Sequence, residues 1–133
     1  MTNEDVAALN ADFATFKAAC EFWINKFNLS GWEIFIYQRN PEDMDALAAT
    51  TVDNLNDREA MIEFFGKCKY TINWEEVALH EVLHIVLAPL LENVDDKIAA
   101  QHEIINKLVP MLKHIYTGAK VAEEVKNIGF KHK

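Results

Sequence analysis

Basic residues and cysteines are both scarce in this sequence of 133 residues. It contains 13 lysines and arginines against 21 aspartates and glutamates, which gives a formal net charge of −8 at pH 7. A chain that binds nucleic acid needs a dense basic face, so this balance argues against a nucleic-acid partner. The two cysteines, Cys20 and Cys68, lie far apart and form no CxxC pair. We therefore expect two reduced thiols and no zinc ribbon.

Long apolar runs and targeting signals are also missing. The longest apolar stretch, residues 77–91, is interrupted by two histidines, a glutamate and a proline, which excludes a membrane span. The first residues, MTNEDVAALNADF, contain no basic segment followed by an apolar one, so no signal peptide is expected. These features predict a cytoplasmic protein.

The remaining composition is that of an ordinary globular protein. Half of the residues are apolar and 26% are charged, and a chain of this length buries roughly two thirds of its unfolded surface. We expect a single domain over residues 1–133. Its tail, residues 118–133, is expected to carry one short helix at Val121–Ile128 and then to fray.

The chain begins with a helical pattern and continues with strands. Apolar residues recur at three- and four-residue steps from Val6 to Phe27, which predicts an amphipathic helix that stops near residues 28–31, with Gly31 as the end signal. Thr2 followed by Asp5 resembles a capping box at its start. β-forming residues and the turns between them predict three strands, the last two paired as a hairpin: Trp32–Gln38, Ala48–Leu55 and Ala60–Phe65.

Two helices are predicted after the strands. Asn73 is a capping residue for a helix from Trp74 to about Ala88, which Pro89 ends or kinks. A further helix opens at residues 95–96, and Pro110 predicts a kink or an early end within it. The inner stripe of that helix is predicted to consist of Ile98, Ile105, Leu108 and Leu112. Helix, strands and then helices predict the α+β class.

The segment WEEVALHEVLHIVLAPL places two histidines and a glutamate on an otherwise apolar helix. At about 100° per residue, His80, Glu81 and His84 fall within a sector of about 100°. Residues four apart stand one helical turn apart, so both imidazoles can bind one zinc ion through neutral ring nitrogens. Glu81 beside them can act as a general base toward a water in an open coordination position. The spacing therefore predicts a zinc site with a catalytic glutamate.

A simpler interpretation is a pair of partly exposed histidines beside a solvent-facing glutamate. Shuffling this composition gives an HExxH in roughly two chains of a hundred, so the letters alone are only suggestive. Their position on a capped, apolar helix favours the metal site, because burying three such groups without partners costs a few kcal/mol each.

His80-Glu81-Val82-Leu83-His84 resembles the HExxH signature of the zincin metallopeptidases. This resemblance implies that the two histidines bind Zn²⁺, that Glu81 is the general base and that the substrate is a protein or peptide. The metzincin branch is excluded, because Leu87 and Leu90 occupy its glycine and histidine positions.

The arrangement of elements over about residues 30–115 resembles the small zincin domains encoded by many bacteriophages, akin to minimal gluzincin or SprT-like domains. The resemblance implies an N-terminal helix, a small, mostly antiparallel sheet of about three strands, an active-site helix that carries HEVLH and a further long helix. For a phage-encoded protein it also implies a location in the host cytoplasm.

The third metal ligand is expected from the helix after HEVLH. Periodicity places Gln101 near the centre of the inner stripe and His102 on its edge, whereas Glu103 points nearly opposite, where it can pair with Lys107. Periodicity therefore favours His102, and the resemblance to gluzincins, which use a glutamate, favours Glu103. The remaining candidates are His114, Asp95 and Asp96.

The substrate-binding strand and the oxyanion donor of a peptidase are harder to predict from the sequence. By resemblance, Ala60–Phe65 is expected to receive the substrate as an added strand at a sheet edge. An oxyanion needs a hydrogen-bond donor, and no spacing selects among the candidates Tyr70, Tyr116, His114 and Arg58.

The sequence thus predicts a zinc-dependent metallopeptidase. The alternative hypothesis is a zincin-like binding or regulatory protein that holds a structural metal or none. A DNA-linked protease of the SprT type is disfavoured by the acidic balance and the missing zinc ribbon. No pattern in the sequence specifies an oligomeric state.

Overall fold

The computed structural model describes residues 1–66 and 72–131, with the side chains of residues 1–66 and 72–123. It confirms the predicted α+β class: a helix is followed by a three-stranded mixed sheet and two further helices. The elements in chain order are α1 (Asn3–Lys26), β1 (Glu33–Gln38), β2 (Ala48–Asn54), β3 (Glu59–Phe64), α2 (Trp74–Leu87) and α3 (Lys97–Lys131).

The first helix is capped as its sequence predicts. The backbone N–H of Asp5 donates to Thr2 Oγ1 at 3.1 Å, and the backbone N–H of Thr2 donates to Asp5 Oδ2 at 2.9 Å. At the other end, α1 stops at Lys26, and Asn28 rather than Gly31 takes the left-handed conformation beyond it, with a φ of 56°. Asparagine visits this region readily because its short polar side chain can bond to nearby backbone groups.

The sheet has the strand order β1-β3-β2. β2 and β3 form the predicted antiparallel hairpin, whereas β1 runs parallel to β3. The expectation of a mostly antiparallel sheet is therefore wrong, because the sheet holds one pair of each kind. The chain passes from β1 to the far edge of the sheet before β3 returns through the centre, and this order depends on long-range pairing that local patterns do not encode.

The central strand β3 is the most buried of the three. Ala60, Ile62 and Phe64 alternate along it and are all buried in the core. A central strand has no free edge, so the prediction that Ala60–Phe65 receives a substrate strand is wrong. Within the described sheet, the edge strands are β1 and β2.

Helix α2 begins and ends where the sequence predicts. Asn73 Oδ1 accepts a hydrogen bond from the backbone N–H of Glu76 at 3.1 Å, and Ala88 is the C-cap. The ring of Trp74 meets those of Phe16 and Phe64, with centroids 6.4 and 4.8 Å away. These contacts fix α2 against α1 and the sheet, and they thereby set the direction in which the HEVLH side chains point.

Helix α3 is continuous through Pro110. The predictions of an early end and of a separate helix at Val121–Ile128 are therefore wrong. Pro110 is exposed, so water can reach the carbonyl of Asn106 that loses its helical donor. Among the described residues, no helix carries an apolar stretch long enough to cross a lipid bilayer.

The inner stripe of α3 begins later than predicted. Ile98 is 55% exposed, whereas Gln101, Ile105 and Val109 are buried. This stripe packs against α2, which places the N-terminal half of α3 beside HEVLH. Cys20 is buried in α1 as a free thiol, and Cys68 lies outside the described residues.

Candidate metal centre

Three histidines converge where α2 and α3 meet. His80 and His84 lie one turn apart on α2, and His102 reaches them from α3. One ligand nitrogen from each lies within 4.8 Å of the other two. The ring centroids are 5.1 Å apart for His80 and His84, 4.9 Å for His84 and His102, and 5.6 Å for His80 and His102. Over residues 1–66 and 72–123, no other group of three or more histidines, cysteines or carboxylates has this geometry.

This donor set fits zinc. Nitrogens around a tetrahedral zinc lie about 3.3 Å from one another, so modest rotations of the imidazoles bring these three within bonding range. Three neutral nitrogen donors without a carboxylate suit zinc better than calcium or magnesium, which prefer oxygen. The fit is thus favourable in both distance and chemistry.

The environment of His80 keeps its imidazole neutral. The ring is half-buried, and this burial, followed by the nearby His84 and His102, lowers the pKa of His80 from 6.5 to about 4. Near neutral pH the ring therefore carries no extra proton, and one of its nitrogens retains the lone pair that a metal ion requires.

A buried amide orients the second histidine. His84 Nδ1 lies 2.7 Å from Gln101 Oε1, and Gln101 is only 5% exposed. Because an amide oxygen can only accept, Nδ1 carries the proton and donates it, which leaves Nε2 as the nitrogen with a free lone pair. Periodicity places Gln101 near the centre of the inner stripe but assigns it no role. A glutamine on an apolar stripe, next to a candidate ligand, is the signal that points to such a role.

The other candidates for the third ligand do not join the cluster. The side chain of Glu103 is 72% exposed and its Oε1 lies 3.6 Å from Lys107 Nζ, so it takes the solvent-facing pairing that periodicity predicts. His114, Asp95 and Asp96 are also exposed, and none of them belongs to the group of converging donors. The geometry therefore supports His102 over Glu103, against the resemblance to gluzincins.

Glu81 is buried beside the histidines. It is 6% exposed, and Thr50 Oγ1 on β2 donates a hydrogen bond to Glu81 Oε1 at 2.8 Å. Burial raises the pKa of Glu81 from 4.5 to about 7, although the Thr50 hydrogen bond and His102 partly oppose this. The simpler interpretation required a solvent-facing glutamate, and the burial contradicts it. A carboxyl group with a pKa near 7 can accept and return a proton close to neutral pH.

Two cavities meet at His80 and Glu81. One, of about 450 Å³, lies over the histidine cluster and is walled by β2 and the start of α3. The other, of about 530 Å³, lies between β2, the start of α2 and the middle of α3, and its lining is largely apolar: Leu47, Ala48, Ile72, Val77, Val109 and Pro110. Ala48 lines both cavities, so β2 forms a common wall along a groove that passes the candidate base.

The described candidates for the oxyanion donor lie outside the two cavities at the histidine cluster. Tyr116 packs against Phe22, with ring centroids 4.8 Å apart, and Arg58 is exposed near Gly31. Neither of them, nor His114, lines the two cavities at the cluster. Tyr70 lies outside the described residues. The structure therefore brings together the predicted metal ligands and base, but none of the described oxyanion candidates.

Comparison with known proteins returns no relative of this chain. No protein-family model matches it, and neither a curated protein nor a solved structure does. The resemblance to zincins consequently depends on the residues of HEVLH and on the position of His102 in the fold.

Proposed function

We propose that this protein is a zinc-dependent metallopeptidase of zincin type. His80, His84 and His102 would hold the metal, and Glu81 would act as the general base. The observation that carries the proposal is the convergence of a third imidazole, from a different helix, on the HEVLH pair at the edge of an open cavity.

The chain supplies the groups that peptide hydrolysis needs. Zinc, when bound, would supply a Lewis acid that makes a water molecule more acidic and polarises a carbonyl. Glu81 would remove a proton from the attacking water and return it to the leaving amine when the C–N bond breaks. Burial raises the pKa of Glu81 in the metal-free protein, and the charge of a bound zinc ion would oppose this and favour the carboxylate that accepts the proton. Gln101 would hold His84 in the tautomer that leaves Nε2 available.

An extended polypeptide fits the groove better than a compact ligand. β2 pairs with β3 on one side only, and no described strand covers its other edge. A peptide that adds a strand at this edge would pass both cavities and bring a backbone carbonyl to His80 and Glu81. The substrate edge is therefore β2 in this proposal, in place of β3.

The alternative is a zincin-like binding protein that carries a structural metal or none. Structural zinc sites have four protein ligands, whereas catalytic sites have three and keep one position open. The described residues contribute three ligands next to a cavity. This count favours catalysis over a structural role.

The metal is tested first, by elemental analysis and chelator competition. Wild-type protein is expected to bind one equivalent of zinc, and His102→Ala is expected to weaken binding strongly. His114→Ala is the matched control, since it removes an exposed histidine from the same helix. Glu103→Gln serves the same purpose for the alternative ligand. Equal zinc affinity in wild type and His102→Ala would contradict the assignment.

Activity is tested on a library of quenched fluorescent peptides with the zinc-loaded protein. Glu81→Gln is expected to reduce kcat by at least about 100-fold while zinc content stays unchanged, because only the proton acceptor is lost. Cleavage that persists in Glu81→Gln would exclude Glu81 as the base. A zinc-loaded wild type that cleaves no peptide, in the library or in a denatured protein, would favour the binding protein.

A further inference from the structure

The hydroxyl of Thr50 faces two oxygens of the same residue. Thr50 Oγ1 lies 2.8 Å from Glu81 Oε1 and 3.1 Å from the backbone carbonyl oxygen of Glu81. Thr50 belongs to β2 and Glu81 to α2, so this contact joins the edge strand to the helix that carries HEVLH. The side chain of Thr50 is partly buried and also lines the cavity over the histidines.

A hydroxyl in this position can bond to Glu81 whether or not the carboxyl group carries a proton. It has one proton to donate and two lone pairs that accept. Toward a carboxylate, Thr50 donates to Oε1. Toward a carboxylic acid, Thr50 accepts the carboxyl proton at Oγ1 and turns its own proton to the backbone oxygen of Glu81. The two short distances on the same hydroxyl make both arrangements available without movement of either backbone.

The other groups around Glu81 do not form such hydrogen bonds to it. His102 lowers the pKa of the Glu81 carboxyl group, and the buried thiol of Cys20 lies close enough for Glu81 to raise the pKa of that thiol. Among the described contacts, Thr50 alone forms a side-chain hydrogen bond to the Glu81 carboxyl group. A valine at position 50 would keep the shape and the strand preference of threonine but would lose both bonds.

We propose that Thr50 is a positioning residue that holds the carboxyl group of Glu81 in place beside the histidine cluster. The catalytic consequence rests on the proposed peptidase function, whereas the position of the carboxyl group does not. Through Thr50, the edge strand β2 both forms the groove wall and supports the candidate base.

The test compares four variants of the zinc-loaded protein. Thr50→Val and Thr50→Ala lose the hydroxyl, Thr50→Ser keeps it, and Thr15→Val changes an exposed threonine on α1 that lines neither cavity. Loss of a hydrogen bond to a charged group is expected to lower kcat about 10- to 100-fold in Thr50→Val and Thr50→Ala. KM and zinc content are expected to stay near their wild-type values. Thr50→Ser is expected to restore kcat to within about threefold of wild type, and Thr15→Val to leave it unchanged.

Crystal structures of the same variants give a second readout that needs no activity. The Glu81 carboxyl group is expected to move by more than about 1 Å in Thr50→Val and to stay in place in Thr50→Ser. An unmoved carboxyl group in both hydroxyl-free variants would overturn the inference, as would wild-type kcat in either of them. A wild type that cleaves no peptide while the carboxyl group moves as expected would refute the peptidase function and leave the positioning role standing.

Discussion

Replacing Glu81 by glutamine is expected to stabilise the metal-free protein at alkaline pH. Burial raises the pKa of Glu81 from 4.5 to about 7, so the folded state binds this proton more tightly than the unfolded state does. Stability is therefore lost as pH rises from about 4.5 through about 7, and the difference between these pKa values corresponds to about 3 kcal/mol above pH 8. Because Glu81 is only 6% exposed, solvent screening reduces this figure little.

Glutamine cannot ionise and can still accept the hydrogen bond of Thr50. The free energy of unfolding is therefore expected to favour Glu81→Gln over wild type by about 2 to 3 kcal/mol more at pH 8.5 than at pH 5. Urea unfolding of chelator-treated protein, followed by tryptophan fluorescence, measures this difference. His80, whose lowered pKa destabilises the fold toward acid pH, is present in both proteins and largely cancels.

The matched control is Glu103→Gln, which removes an exposed carboxylate on α3 that is paired with Lys107. Its effect on the free energy of unfolding is expected to stay below about 1 kcal/mol at both pH values. If Glu81→Gln and wild type differ by the same amount at pH 5 and pH 8.5, the carboxyl group of Glu81 ionises without cost. Burial of Glu81 in the folded protein would then impose no penalty on its charged form.

Three other predictions concern the metal centre and the helix that carries it. Zinc affinity, measured by chelator competition, is expected to fall as pH decreases from 7.5 to 4.5, because protons compete for the ligand histidines; constant affinity over this range would contradict histidine ligation. Gln101→Leu is expected to weaken zinc binding about 10- to 100-fold, whereas Gln101→Glu keeps an acceptor for His84 and retains binding; equal losses in both variants would exclude the orienting role. Asn73→Ala is expected to cost about 1 kcal/mol in urea unfolding through loss of the helix cap, and Asn73→Asp, which can still cap, is expected to cost much less.

The features that the sequence predicts well are local. Thr2 and Asn73 cap their helices because a capping side chain bonds to a backbone N–H within a few residues. HEVLH places its histidines on one face of a helix because the helical repeat alone decides that placement. The same periodicity favours His102, and the structure places it in the cluster.

The features that the sequence does not predict depend on contacts between distant segments. The central position of β3 follows from pairing with β1 across a long connection, whereas the resemblance to zincins predicts an edge position for it. Thr50 contacts Glu81 only because β2 lies against α2. The spacing of these two residues in the sequence therefore does not predict the contact. Pro110 is tolerated because it lies on the exposed side of α3, and that side is fixed by packing.

The three converging histidines come from two helices, and α3 packs mainly against α2. An ion shared by them would act as a reversible cross-link over the turn between these helices, without any covalent bond. The docking of α3 would then follow the free concentration of that ion, while α1, the sheet and α2 keep their own aromatic core. Chelation would in that case weaken the docking of α3, which would then depend on its buried apolar stripe alone.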